Sequence, residues 1–529
     1  MAVAITKLSM LTRPTSPIRP FVYSNPNLLR LISLPPSIRW NSAAPTETVV
    51  DESQFIIKPS ISNNPGSGTN VREWKKMSSK ELGICTSMIS EPAKVALKKL
   101  KKNGYEVYLV GGCVRDLILK RVPKDFDILT SAELIEVKGT FPQCEIVGKR
   151  FPICHVHISD HVIEVSSFST GQQKYNRNFS FPLRGSIDCD EKDKVRWRNC
   201  MERDFTVNGL MFDPFARLVF DYLGGLEDIR KAKLQTTIPA SISFHQDCAR
   251  ILRAIRIAAR TGFSLARETA QSVRNLSFLI LRLHKGRILM EMNYMLAYGS
   301  AEASLRLLWR FGLLELLLPL QAAYFVRCGF SRRDNGSNML LTLFANLDKL
   351  LAPDRPCHNS LWFTILAFHK ALSDRARDPS VIAAFVLAVN NGGDIAEAVK
   401  IARVISQPNE ENFPELLKLD NLDEMELRDE VLCFAGSVNH ALSEMTDENA
   451  VSKAMAKYPQ APYSDLVFIL PGLYFRAQMI LGCVGKGKEK GYLSKPGGKI
   501  DYKMLAEGGL QEVRHIFARV VFDTVYPFT

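Results

Sequence analysis

Two glycines followed at close range by two carboxylates constrain this chain more than anything else in its 529 residues. Val107-Tyr-Leu-Val110 reads as a short buried strand that ends at Gly111-Gly112. Glycines there let the backbone approach a phosphate closely and turn its N–H groups toward it. Arg115 lies in a brief helix expected from Val114 to about Lys120, closed by Val122-Pro123, and offers a planar charged fork for phosphate oxygens. Asp125 and Asp127 then flank Phe126 on a second expected strand, Phe126–Leu129. Residues i and i+2 of a strand face the same way, so the two carboxylates converge. Such a pair repels itself unless cations hold it, and Mg²⁺ (or Mn²⁺) with a nucleoside triphosphate meets that need. Either half alone reads as a turn or a solvated strand end. Together, inside one strand–turn–helix–strand unit, they point to nucleotidyl transfer.

The block Gly111-Gly-Cys-Val-Arg-Asp116 through Lys124-Asp-Phe-Asp127 resembles the head of class II tRNA nucleotidyltransferases and bacterial-type poly(A) polymerases. Three further stretches extend the likeness across roughly Ala93–Leu296. Arg203-Asp-Phe-Thr-Val-Asn208 is similar to the family's second motif, and Asp221-Tyr-Leu-Gly-Gly-Leu-Glu-Asp228 to its hinge toward the neck. Asp247-Cys-Ala-Arg250, with Ile251-Leu-Arg-Ala-Ile-Arg256 and Thr261-Gly-Phe263, is similar to its nucleotide-selecting helix. The resemblance implies an α+β protein: an N-terminal mixed-sheet nucleotidyltransferase head, then an all-α neck, body and tail.

It also implies roles. Asp125 and Asp127 would hold two metal ions, and ATP and RNA 3′ ends would be the substrates. Glu164, on an expected strand, stands where the family often has a third carboxylate; its other reading is an exposed strand residue. Gly111, Gly112 and Arg115 would cradle phosphates, with Arg203, Asp204 and Asn208 also at the nucleotide. Asp247 and Arg250, three apart on an expected helix, share a face. Acceptor and donor together match the Watson–Crick edge of adenine; a surface ion pair is the plain alternative. Arg253, Arg256 and Arg260 continue that basic line, as a guide for nucleotide or RNA or as a solvated helix face.

Within the family, Ile146-Val-Gly-Lys-Arg-Phe-Pro-Ile-Cys-His-Val156 is similar to a signature of the bacterial poly(A) polymerase branch, which favours AMP addition over CCA addition to tRNA. Three positions depart from the family pattern: Glu202 and Ser169 stand where it has arginine, Gln246 where it has glutamate. They are the support for a competing class, a non-catalytic RNA-binding protein on the same scaffold. The intact Asp125/Asp127 pair favours the enzyme.

The net charge of +13 fits a polyanionic partner. Part of it precedes Glu47, where Lys7, Arg13, Arg19, Arg30 and Arg39 are accompanied by no acidic residue. Residues 1–46 therefore read as an organelle transit peptide, mitochondrial or plastid, with Ser37-Ile-Arg-Trp-Asn-Ser42 leaning to the mitochondrion. Residues 47–88 read as linker, 89–222 as head, 223–300 as neck, 301–480 as helical body and 481–529 as a tail begun by the basic run Gly485–Gly491. Gly171–Asn199 is expected to be a loop near the site. The apolar stretch Leu313–Val326 contains Glu315 and Pro319 and reads as a core helix rather than a membrane span. The eleven cysteines lack any CxxC pair, so disulfide frameworks and structural zinc are not expected. His155 and His157 alternate on an expected strand without a third ligand and read as packing or surface residues.

Overall fold

The computed structural model describes residues 74–148, 152–170, 190–405, 413–417, 422–457, 459, 464–495 and 497–527, all within the compact unit Thr69–Thr529. The expected transit peptide over 1–46, most of the expected linker, Lys149–Phe151 and residues 171–189 lie outside the described residues.

The head is built on one mixed sheet of eight described strands. They are β1 (Lys75–Ser78), β2 (Val107–Val110), β3 (Asp127–Thr130), β4 (Cys144–Val147), β5 (Ile153–Ile158), β6 (His161–Ser167), β7 (Leu210–Asp213) and β8 (Leu218–Asp221). Their spatial order is β1-β8-β7-β2-β3-β6-β5-β4, antiparallel throughout except for the parallel β3–β6 pair. Strand alternation sorts the side chains. Val107, Leu109, Ile128, Val165 and Phe212 enter one core with helices α1 (Glu91–Lys102), α2 (Gly112–Ile118) and α3 (Leu134–Thr140). Tyr108, Val110, Leu129, Met211 and Phe220 face the other way. There α4 (Glu191–Met201) covers them, and its buried Arg196 guanidinium lies 5.2 Å from the Tyr108 ring centre and 4.8 Å from that of Phe220.

Two expectations are corrected here. The linker over 47–88 stops short, because β1 pairs with β8 as the sheet's edge and Trp74 packs edge-on against Tyr222. The expected loop Gly171–Asn199 contains the start of α4.

The neck begins where Asp221 caps α5 (Gly225–Arg230): its Oδ1 accepts from the amides of Leu223 and Gly225 and its Oδ2 from that of Leu226, at 3.1, 2.9 and 2.9 Å. Gly225 permits this approach, since a Cβ there would stand 2.4 Å from the Thr206 carbonyl oxygen. The helices α6 (Ala240–Gln246), α7 (Ala249–Thr261), α8 (Arg267–Asn275) and α9 (Lys285–Leu296) follow. The neck is not wholly helical: β9 (Lys233–Leu234) and β10 (Ser264–Leu265) form a short parallel pair.

The body is helical and apolar. Leu313–Val326 is buried as expected but broken at Leu318, which leaves the helical region ahead of Pro319, giving helices Leu314–Leu317 and Pro319–Arg327. The expectation of a tail over 481–529 is overturned. Helix Leu510–Val525 buries Val513, Ile516, Phe517, Val520 and Val521 in the body core, with the Phe517 ring 5.4 Å from that of Phe368. In the basic run, Lys488 pairs with Asp394, and Glu489 pairs with the fully buried Arg514. No helix among the described residues is long and apolar enough to cross a membrane.

Candidate active site at the head–neck junction

β2 delivers the chain to Gly111, whose φ of +77° is a conformation that side chains rarely adopt, and α2 starts at the next residue. A Cβ on Gly111 would lie 3.2 Å from Arg203 Nη1 and 3.5 Å from Asp127 Oδ2. The turn, one carboxylate and one guanidinium therefore meet at a point. Cys113, inside the motif, is buried; its Sγ donates to the Val110 carbonyl, and burial pushes its thiol up to about 12, so it is no nucleophile at neutral pH.

Asp127 opens β3 opposite Val110. The parallel β3–β6 pairing, Ile128 with Val165, brings Asp127 beside Glu164 on the face away from α1 and α3. The second strand starts one residue later than expected. Asp125 thus lies in the loop ahead of it, 61% exposed, rather than on the strand. Its charge still reaches Asp127. Burial first, then Glu164 and Asp125, push the Asp127 carboxyl up to about 6, although Arg203 and Lys124 pull the other way. Lys124 Nζ sits 2.7 Å from Asp125 Oδ2. Among the described residues, no group of three His, Cys, Asp or Glu side chains is close enough to form a ready-made metal centre. The carboxylate set is therefore a pair with Glu164 nearby. His155 and His157 lie 4.0 and 3.6 Å from Glu164 and Glu145 as cross-strand surface neighbours.

Several residues expected at the nucleotide are committed elsewhere. Arg115 is buried, 4% exposed; its Nε and Nη2 donate to Asp116 Oδ1 at 2.9 and 2.7 Å, and its Nη1 to Asn208 Oδ1 at 2.7 Å. Asn208 in turn donates to Asp204 Oδ1 at 2.9 Å, and Arg253 Nη1 lies 2.8 Å from Asp204 Oδ2. Arg260 Nη2 lies 3.1 Å from Asp116 Oδ2, and Arg256 Nε 3.0 Å from Glu291. The fork read as open for phosphate is thus closed on protein groups. The basic line Arg253–Arg256–Arg260 is neither a solvated face nor a free phosphate track; Arg253 and Arg260 are struts from neck to head. Burial alone would raise the Asp204 carboxyl, but the Arg253 guanidinium outweighs it and holds it at about 2.

Asp247 and Arg250 do not share a helix. Asp247 is extended, at φ −149° and ψ 98°, between α6 and α7, and its Oδ1 accepts from the Ala249 amide at 3.1 Å. Arg250, in the first turn of α7, donates to Ser243 Oγ at 2.8 Å and to the Glu202 carbonyl at 3.2 Å. That last contact uses the main chain, so it does not depend on which side chain stands at 202. Glu202, Gln246 and Ser169 are all exposed, and none belongs to the internal polar chain.

Asp116, Arg121 and Lys124 stand at the junction in addition to the residues expected from the sequence. Asp116 sits inside the glycine motif beside Arg115, and that adjacency was the available signal. Arg121 caps the end of α7 by donating to the carbonyls of Arg260 and Thr261, with nothing in its local sequence to announce it.

Residues 107–235 match the family described as the poly A polymerase head domain, and residues 262–325 the one described as a probable RNA and SrmB-binding site of polymerase A. Poly(A) polymerase I of Haemophilus influenzae is 32% identical over 266 residues, 48% of this chain and 57% of that protein. The CCA-adding enzyme of Geobacillus stearothermophilus is 34% identical over 219 residues, 41% of this chain and 52% of that protein. The chain thus spans a little more than half the length of these relatives. A crystal structure of the Bacillus stearothermophilus CCA-adding enzyme with CTP covers 75% of this chain and 94% of its own at 22% identity, with a TM-score of 0.42.

Proposed function

We propose that this chain, a member through its head and neck of the class II tRNA nucleotidyltransferase and bacterial-type poly(A) polymerase family, adds AMP from ATP to RNA 3′ ends without a template. The observation that carries the reading is the meeting of Asp127, Arg203 and the Gly111 turn, with Asp125 and Glu164 close enough to raise the Asp127 carboxyl.

That donor set fits a divalent cation, because a carboxylate raised by burial and by two neighbouring carboxylates gains most from positive charge. Asp125 and Asp127 would hold Mg²⁺ or Mn²⁺, which when bound supplies charge for the triphosphate and acidifies the RNA 3′-hydroxyl. The chain's own groups position the rest. Gly111 and Gly112 let the triphosphate approach the backbone, and Arg203 faces it with a guanidinium that makes no hydrogen bond or ion pair among the described residues. The 3′ oxygen bonds to the α-phosphorus, the α–β bridging bond breaks, and pyrophosphate leaves; positioning and charge neutralisation carry most of the rate. Arg250 and Asp247 stand at the α6–α7 break to read the base, while the chain Arg253–Asp204–Asn208–Arg115–Asp116–Arg260 holds neck to head.

The segment Ile146–Val156 and the poly(A) polymerase I relatives support AMP addition. The CCA-adding relatives keep trinucleotide addition to tRNA as the second reading. Primer extension on a generic RNA and on a tRNA lacking CCA, with ATP or CTP, separates them. Long ATP-only tails on both RNAs are expected; addition that stops at CCA on tRNA alone gives the second reading. No incorporation with either metal moves the chain to the binding-only class, and Asp125→Ala with Asp127→Ala should abolish incorporation while leaving RNA binding. The acid-free basic stretch before Glu47 supports organelle import, the mitochondrion ahead of the plastid, which a fluorescent fusion of residues 1–46 would read.

A further inference from the structure

Lys124 has two kinds of partner at once. Its Nζ lies 2.7 Å from Asp125 Oδ2, and also 4.6 and 5.6 Å from the ring centres of Tyr294 and Tyr298. Those rings meet edge to face at 5.4 Å, at the end of α9 and just beyond it. Arg256 lies 5.2 Å from the Tyr294 ring centre and is held there by Glu291, so this seat is built from the neck while the carboxylate belongs to the head. A ring face attracts an ammonium without demanding a particular oxygen, and it does so without competing for a metal.

We infer that Lys124 is a positioning residue that occupies Asp125 until a divalent cation arrives and is then retained by the Tyr294–Tyr298 pair. The argument is one of charge and space. An ammonium 2.7 Å from Oδ2 takes up one oxygen of the Asp125 carboxylate and repels a dication approaching either oxygen. Metal binding therefore gains when the ammonium moves aside, and beside the dication that ammonium needs other negative potential to hold it. The two tyrosine faces are within reach of the Lys124 stem without any backbone movement. Metal loading in the head is thereby coupled to the neck helix that carries the seat. This inference rests on the reading of Asp125 and Asp127 as the metal-binding pair.

The test is Mn²⁺ binding to the full chain, followed by electron paramagnetic resonance without nucleotide or RNA. Lys124→Met keeps the apolar stem and removes the competing charge, so Mn²⁺ should bind about fivefold more tightly. Tyr294→Leu with Tyr298→Leu removes the seat and should weaken binding by a similar factor. Adding both tyrosine changes to Lys124→Met should leave its affinity where it was, because no ammonium remains to be seated. A misfolded variant would not gain affinity, so the first result is insensitive to mere damage. Unchanged or weaker Mn²⁺ binding in Lys124→Met overturns the inference, as does an equal tyrosine effect with and without the lysine. Asp125→Asn with Asp127→Asn serves as the reference. If it leaves Mn²⁺ binding intact, the metal-site reading itself fails; if it abolishes binding while Lys124→Met changes nothing, only the role of Lys124 falls.

Discussion

Arg253 of the neck helix places its Nη1 2.8 Å from Oδ2 of Asp204 in the head, and Asp204 is only 6% exposed. The pair joins α7 to the Gly111 turn and α2 through Asn208 and Arg115. A carboxyl held at about 2, below its unfolded value, stabilises the fold only when ionised. That contribution, about 2 kcal/mol, is present above about pH 4 and is lost as pH falls toward about 2. Arg253→Met should lower stability at neutral pH by about 2–3 kcal/mol and flatten the acid limb between those limits. An unaltered denaturation midpoint at pH 7 would contradict this.

Arg115→Lys distinguishes an internal strut from a phosphate ligand. A lysine cannot reproduce the fork onto Asp116 and the third bond to Asn208. Stability should fall by about 2 kcal/mol, with weaker ATP use as a consequence. A raised KM for ATP at unchanged thermal midpoint would instead make Arg115 a direct ligand.

Gly111 at the site and Gly225 at the start of α5 should fail differently. Gly111→Ala forces a side chain into positive φ at a cost of about 1–3 kcal/mol and crowds Arg203 and Asp127. The protein should fold, with kcat reduced more than tenfold. Gly225→Ala meets a backbone carbonyl at 2.4 Å and should prevent soluble expression at 37 °C. Normal turnover by Gly111→Ala would remove the turn from the site.

Arg250→Ala removes two hydrogen bonds from a partly exposed side chain and should change stability by less than about 1 kcal/mol. The ratio of kcat/KM for ATP over CTP should drop about tenfold or more. A ratio equal to that of the wild type would place base selection elsewhere.

Phe517→Ala tests the C-terminal helix. As a fully buried ring against Phe368, its loss should destabilise the body by about 3–5 kcal/mol. Residues of a solvated tail would tolerate the change, with no shift in the unfolding transition.

Residues 107–130 were legible because their instructions are local. The strand before Gly111, the glycine turn, the short helix and the spacing of Asp125 and Asp127 need no distant partner, and the structure moves the second strand by one residue. β1 is illegible in the sequence because an edge strand of four residues, Lys75–Ser78, shows no apolar run of its own; pairing with β8 defines it. Helical spacing runs through Asp247, but its backbone is extended between α6 and α7 and its carboxylate accepts from the Ala249 amide, a tertiary outcome that spacing does not register.

The sequence by itself determined a mixed-sheet head followed by helices and the glycine–carboxylate unit at 107–130, since these follow from short-range periodicity and turn chemistry. Only the tertiary structure decided which charges are available. Arg115 and Arg260 are both paired with Asp116 and Arg253 with Asp204, with Asn208 bridging Arg115 to Asp204, across up to 144 positions of sequence. Arg203 remains turned toward Asp127. Burial is the physical reason: a charge removed from water must find a partner, and that partner is chosen by packing, which no local pattern encodes.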